Sequence, residues 1–328
     1  MKRAAGTDME RGKRIGRQAL HPLRIPMAGW KDIAFRVKDK VASDNVTILS
    51  AGIAFYAFLA IFPAIAAVVS IYGLVSDPTE VEGQLSIFSE LLPPQALAVL
   101  QNQLTRVAQV GQTLSIGIAI AILLTVWSAS RGLKALIISL NIVYNETERR
   151  GFVRFNIIGL LFTAIAIAFA IVLLGLVVAS PGFLDTLGLS ASYSSISRIV
   201  RWPALAVIVV TGLALLYRYG PNRKTARFHW VTLGSVVATL LWLAISALFS
   251  KYVVYFGNFN EIYGSLGAVI ILLLWLYLSA LSVLIGAEIN AEVEHQTGED
   301  TTTGPPRPMG YRGAYVADTL GESRETEE

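Results

Sequence analysis

The sequence predicts an all-α fold: a polytopic integral membrane helical bundle of six transmembrane helices with both termini cytoplasmic. Three observations carry this. Of 328 residues, 54% are hydrophobic and only 15% are charged, against roughly 45–50% and 25% in soluble domains. The apolar residues fall in long uncharged runs, which points to a bilayer as solvent. Finally, the basic residues alternate between loops, as membrane insertion requires. A mean hydropathy of +0.57 excludes an ordinary soluble enzyme and a disordered chain alike.

Three regions follow in order. Residues 1–45 form a basic cytoplasmic N-terminal arm. Its Arg11, Lys13, Arg14 and Arg17 suit either anionic lipid headgroups, at about 1 kcal/mol per basic group, or a solvated, partly disordered arm. Trp30, Ile33, Ala34 and Val37, flanked by Lys31, Lys38 and Lys40, read as a short interfacial helix. No apolar signal-peptide segment occurs in residues 1–47.

Residues 46–295 form the six-helix transmembrane domain, with spans at about 48–75, 113–130, 155–179, 203–219, 231–255 and 265–290. A crossing helix needs about 20 residues. The fourth span is short, but Pro203 is tolerated at a helix start, and Trp202, Tyr217 and Tyr219 suit the interface. Between the first two spans, Val81, Leu85, Phe88 and Leu92, then Leu97, Leu100, Leu104 and Val107 beyond Pro93-Pro94, predict an outer amphipathic hairpin over 76–112. It reads as a lid or as a packing connector. Residues 296–328, with Gly304-Pro305-Pro306 and Pro308, are expected to be an acidic flexible cytoplasmic tail.

Orientation follows from Lys and Arg. The arm, the loops after spans two and four and the tail hold 23 of the 27 basic residues. The loops on the other side hold 4. The positive-inside rule therefore places both ends in the cytoplasm, and explains a pI near 9.2 without nucleic acid as a partner.

Several chemistries are not expected. Cysteine is absent, which removes disulfides and thiolate sites. His21, His229 and His295 lie far apart and show no metal-ligand spacing. No phosphate-binding loop of P-loop type occurs, and no cofactor is implied. RNA hydrolysis needs paired acids with metal, or paired histidines; the cytoplasmic segments offer neither. None of the 50 charged residues falls at a span centre, so a proton relay of the usual kind has no obvious carrier.

The remaining candidates are groove, gating or packing residues. Tyr56 and Pro63 lie within span one, where Pro63 is expected to kink the helix and Gly52 to admit a close neighbour. Asn258, Asn260 and Glu261 lead into Tyr263-Gly264-Ser265, an outer turn that either presents backbone groups to a substrate or caps span six. On the inner side, Arg131, Lys134, Arg149, Arg150 and Arg154 are expected to meet Glu288 and Glu292 in a salt-bridge cluster, or merely to anchor topology. Membrane lipids are the expected partners; self-association into a homo-oligomer stays open.

Several stretches together carry a resemblance: Leu49 to Pro63 (LSAGIAFYAFLAIFP); Ser130 to Lys134 (SRGLK), then Asn141 to Tyr144 and Arg149 to Phe152; Tyr217 to Arg223 (YRYGPNR); Gly257 to Asn260, then Tyr263 to Ala268; and Gly286 to Asn290 (GAEIN). In this order, over roughly 45–295, they resemble the YihY/BrkB family of bacterial inner-membrane proteins. The resemblance implies an inner-membrane location and a part in envelope integrity, serum resistance and movement of lipids. An older ribonuclease label is attached to the same family.

Overall fold

A computed structural model describes residues 12–75, 115–178, 192–256 and 266–323. The outer hairpin and the turn holding Asn258, Asn260, Tyr263 and Ser265 lie outside the described residues. Among those described, the chain is helical and no strand forms; one isolated bridge pairs Ala226 with Thr302.

After a short 3-10 turn at Pro22–Arg24 come α1 (Met27–Ser43), α2 (Val46–Val75), α3 (Ser115–Val143), α4 (Phe152–Val178), α5 (Ser192–Tyr219), α6 (Phe228–Phe256), α7 (Gly267–Gln296) and the single turn α8 (Tyr315–Asp318). The described part of each of the six apolar stretches follows one long helix. α4, α6 and α7 are long and apolar enough to cross a bilayer, and α1 with α2 forms a bent pair that passes together. Each helix from α2 to α7 packs on its chain neighbours, and α7 closes the ring on α2. Large apolar side chains such as Ile157, Leu161, Leu240 and Leu248 face outward, as lipid-facing positions do.

Two helix boundaries differ from expectation. The measured bend, 60°, lies between α1 and α2, at Asn45, whose φ of 52° is a left-handed value that Asn tolerates. Pro63 sits inside α2. Pro203 does not open its helix: α5 starts at Ser192, so Pro203 stands within it. The Ser- and Arg-rich run before Trp202 looks like loop by composition, yet it continues the helix.

α6 and α7 meet backbone to backbone. A Cβ on Gly234 would overlap the Gly286 carbonyl oxygen, and one on Gly286 would lie 2.6 Å from both Ala238 Cβ and Gly234 O. Small residues permit this approach. Beside the crossing, Asn290 Oδ1 accepts from Gly234 N at 2.7 Å, and its amide donates to Val231 O at 2.9 Å. The core around it contains Tyr144, Tyr217, Leu284 and Ala287.

The expected free tail is instead folded. Residues 297–323 pack on the bundle end, with Thr297, Thr301, Thr302, Val316 and Ala317 buried. Arg312 donates to the carbonyls of Gly298, Glu299, Arg307 and Ala317 at 2.7–3.1 Å. Asp318 accepts from three backbone N–H groups, those of Gly310, Arg312 and Gly313. Such a segment builds no core of its own; backbone and polar side-chain hydrogen bonds to a preformed surface hold it.

Candidate functional site

The polar end of the bundle gathers the arm, the ends of α3, α5 and α7, and the segment 297–323. Helix-end chemistry places the first group. α3 stops at Tyr144-Asn145, where Asn145 has φ 52°. Glu146 N donates to Asn141 O, and Asn145 N to Ile142 O, the pattern that satisfies terminal carbonyls. Asn141 then serves two partners: its Oδ1 accepts from Asn222 N at 2.7 Å, and its amide donates to Glu148 at 3.0 Å.

The turn Gly220-Pro221 after α5 aims Arg223 inward. Its guanidinium meets Glu294 through two bonds, 3.0 and 2.7 Å, with both side chains wholly buried. Tyr144 lies beneath it at 4.1 Å. Burial alone would favour a neutral Arg223; the adjacent Glu294 carboxylate more than offsets this and holds the charge. Burial, in turn, pushes the Tyr144 hydroxyl up, so it stays neutral.

The arm supplies two further arginines. Arg36 binds Glu292 at 2.5 Å, Gln296 Oε1 at 2.6 Å and Glu322 O at 2.9 Å. Arg17 reaches the carbonyls of His295, Gln296 and Gly321. These partners correct the expected cluster. Glu292 takes Arg36 from α1, whereas Arg150 pairs locally with Glu148 at 2.6 Å, and Lys134 donates to Asn156 at 2.8 Å. Arg131 lies 3.7 Å over the Trp127 ring on the bundle's outer surface. In Glu148, burial raises the carboxyl's pKa, but the Arg150 and Asn141 hydrogen bonds outweigh it and the net shift is downward.

The sequence candidates thus separate. Tyr56 and Arg131 sit on α2 and α3 where those helices pack: a Cβ on Gly132, next to Arg131, would lie 3.7–3.8 Å from Tyr56 and Ala57. Phe55, Leu59 and Trp127 are exposed on the same two helices. Glu288 lies elsewhere, wholly buried on α7, and neither of its oxygens accepts a hydrogen bond among the described residues. It faces Asp44, at the bend between α1 and α2, within hydrogen-bond reach.

Sequence reasoning held Asn222 and Arg223 only within the family-like stretch Tyr217 to Arg223, and gave Glu294 no role. His21 and His229, far apart in sequence, stack at 4.9 Å between ring centroids. Among the described residues, no group of three metal-ligating side chains forms.

Long apolar helices closed in a ring, with one polar end sealed by arginine-carboxylate pairs, define a multi-pass membrane protein. Comparison with known proteins agrees with that class. The chain belongs to the family described as Virulence factor BrkB, whose family model matches residues 37–309. It is 32% identical over 249 residues to "Putative ribonuclease-like protein YfkH" of Bacillus subtilis (strain 168), covering 74% of this chain and 88% of that one. A UPF0761 membrane protein of Idiomarina loihiensis is 27% identical over 64% of this chain and 71% of its own. One of Vibrio vulnificus (strain YJ016) is 27% identical over 83% and 87%. No solved structure matches the chain.

Proposed function

We propose that this is an inner-membrane protein of six spans, both ends cytoplasmic, that moves or handles lipid or another amphipathic solute in maintaining the cell envelope, and that it performs no catalysis. One observation carries the reading. Phe55 and Leu59 of α2 and Trp127 of the adjoining α3 are exposed, and the exposed Arg131 stacks its guanidinium over the Trp127 ring. An apolar surface that carries an arginine matches an acyl chain that carries a phosphate. Tyr56, half-buried beside Gly132, stands where a headgroup would pass. Pro63 in α2 and the outer-turn residues Asn258, Asn260, Tyr263 and Ser265 are proposed to shape the opposite end of the same path. The basic arm is proposed to meet anionic lipid.

The test is reconstitution in liposomes with a fluorescent phospholipid. The protein should accelerate exchange between leaflets over protein-free vesicles, and R131Q should slow it without changing the melting temperature. Equal rates with and without protein would rule translocation out.

A second reading is a non-transporting scaffold. The packed segment 297–323 favours it, because an ordered polar end offers a docking surface; Met309, Tyr311 and Tyr315 are exposed there. Under that reading, Y311A together with Y315A abolishes the envelope phenotype while lipid exchange in liposomes is unaffected.

A further inference from the structure

Arg218, at the end of α5, makes no hydrogen bond and no ion pair among the described residues; only aromatic rings hold it. Its Cζ lies 3.8 Å from the Phe228 ring centroid and 5.1 Å from that of Tyr219. Its Nε is shut off from water and donates to nothing among the described residues. Arginines nearby in the chain are placed otherwise: Arg223 has Glu294, and Arg227 donates to Thr302 O at 3.1 Å. A guanidinium carries five donors, and a shielded donor without an acceptor is costly. Stacking on a ring fixes the plane of the group but leaves its N–H edge open to an anion.

The sequence around Arg218 supplies no counter-charge. No Asp or Glu occurs between Asp185 and Glu261, the stretch that forms α5, α6 and the turn joining them. None occurs between Glu10 and Asp32 in the arm, whose His21 stacks on His229, the residue after Phe228. Arg24 and the apolar Leu20 and Leu23 are exposed on that part of the arm. The α7 acids Glu292 and Glu294 are taken by Arg36 and Arg223. Arg218 also marks a boundary. The apolar run of α5 ends at Tyr219, and that of α6 opens at Phe228. The guanidinium therefore stands where hydrocarbon gives way to headgroups.

Two exposed stripes run from this point along the apolar helices. On α5 they are Val207, Thr211, Leu215 and Tyr219; on α6, Phe228, Thr232, Val236 and Leu240. A four-residue spacing keeps each stripe on one side of its helix. Both threonines turn their hydroxyls back onto their own helix, to Val207 O and Phe228 O, at 2.7 Å each. Neither stripe thus offers a free donor. α5 and α6 pack as neighbours, and Arg218, over both Tyr219 and Phe228, joins the stripes at one end. We infer that this α5–α6 face binds a phospholipid of net negative charge as a resident ligand, its phosphate on Arg218 and an acyl chain along the stripes. A headgroup bearing an ammonium would meet Arg24 and Arg227 with no carboxylate to receive it, which selects against zwitterionic lipid. The site is separate from the α2–α3 face, and it stands whether or not the protein moves lipid, because a resident lipid stays bound and the test measures binding alone.

The experiment is native mass spectrometry of the full chain in detergent, titrated with phosphatidylglycerol or phosphatidylcholine. The wild type should retain one phosphatidylglycerol about tenfold or more tightly than phosphatidylcholine, the worth of a charge-assisted hydrogen bond. R218Q should erase that preference at an unchanged melting temperature. R149Q, which removes an exposed arginine elsewhere at the polar end, should keep it. Excess inorganic phosphate should not displace the lipid. A second measurement needs no variant: phosphatidylglycerol with a photoreactive acyl chain should label the wild type within residues 203–219 and 228–243. Equal retention of the two lipids, a wild-type preference in R218Q, displacement by inorganic phosphate, or labelling spread evenly over all the helices would each overturn the site.

Discussion

Removing either member of the Arg223–Glu294 pair should be among the most damaging changes at the polar end. Both side chains have 0% exposure, and two bonds of 3.0 and 2.7 Å join them. In E294Q the guanidinium stays buried with only the Tyr144 face and one amide oxygen for partners. Stranding a buried charge in this way costs about 3–5 kcal/mol. At 1.36 kcal/mol per tenfold, the population of opened molecules rises by roughly two to nearly four powers of ten. R223A should cost a similar amount. R223K keeps a charge but loses the two-pronged geometry, and falls between. The double variant R223M/E294L removes both charges and refills the space, so it should be more stable than either single variant. Equilibrium unfolding in mixed detergent micelles measures all four. Single-variant losses under about 1 kcal/mol, or a double variant as unstable as the sum of the singles, would refute the reasoning, since an additive result means no coupling.

Three other outcomes follow from the packing. G234A and G286A should each lower stability by about 1–3 kcal/mol or more, because the added methyl meets backbone on the partner helix. G212A should cost less, because its neighbour is the edge of the Phe169 ring, 2.8 Å away, which rotates; thermal melts compare them. Acid should loosen the polar end. In Asp300, burial raises the pKa, but hydrogen bonds from Arg307 N and Thr302 overcome this and the net shift is downward. Glu148 is shifted downward likewise. Their stabilisation is therefore present above the ordinary carboxylate range and is lost as pH falls through it. D300N and E148Q should flatten the acid limb of melting temperature against pH. Finally, R312A should free the segment 297–323, so that limited proteolysis, slow in the wild type, removes it and leaves the bundle intact.

The sequence made the helices legible because a bilayer imposes length and composition, and both are local properties. The end expected for the fourth span, about residue 219, matches the end of α5 at Tyr219, just before Gly220-Pro221. Partner choice was not legible. Arg131 and Glu288 each lie near the end of an apolar run, yet one stacks outward on Trp127 and the other is buried against Asp44. Only the ring order of the helices decides this, and periodicity does not encode it. The segment 297–323 was misread because its order comes from pairings such as Lys224 N to Gly313 O and Gly298 N to Arg17 O. Those bonds span tens or hundreds of residues and leave no trace in composition. Arg223 gave one signal that was available: a basic residue just past a Gly-Pro stop is held close to the bundle end, where buried acids await.

The central claim is that the polar end faces the cytoplasm. The chain has no cysteine, so a single Cys can be introduced against a silent background. The site for it is Tyr311, which is 75% exposed. In intact cells, Y311C should resist a membrane-impermeant maleimide and react fully once the membrane is permeabilised. Labelling of Y311C in intact cells at the rate seen after permeabilisation would contradict the account.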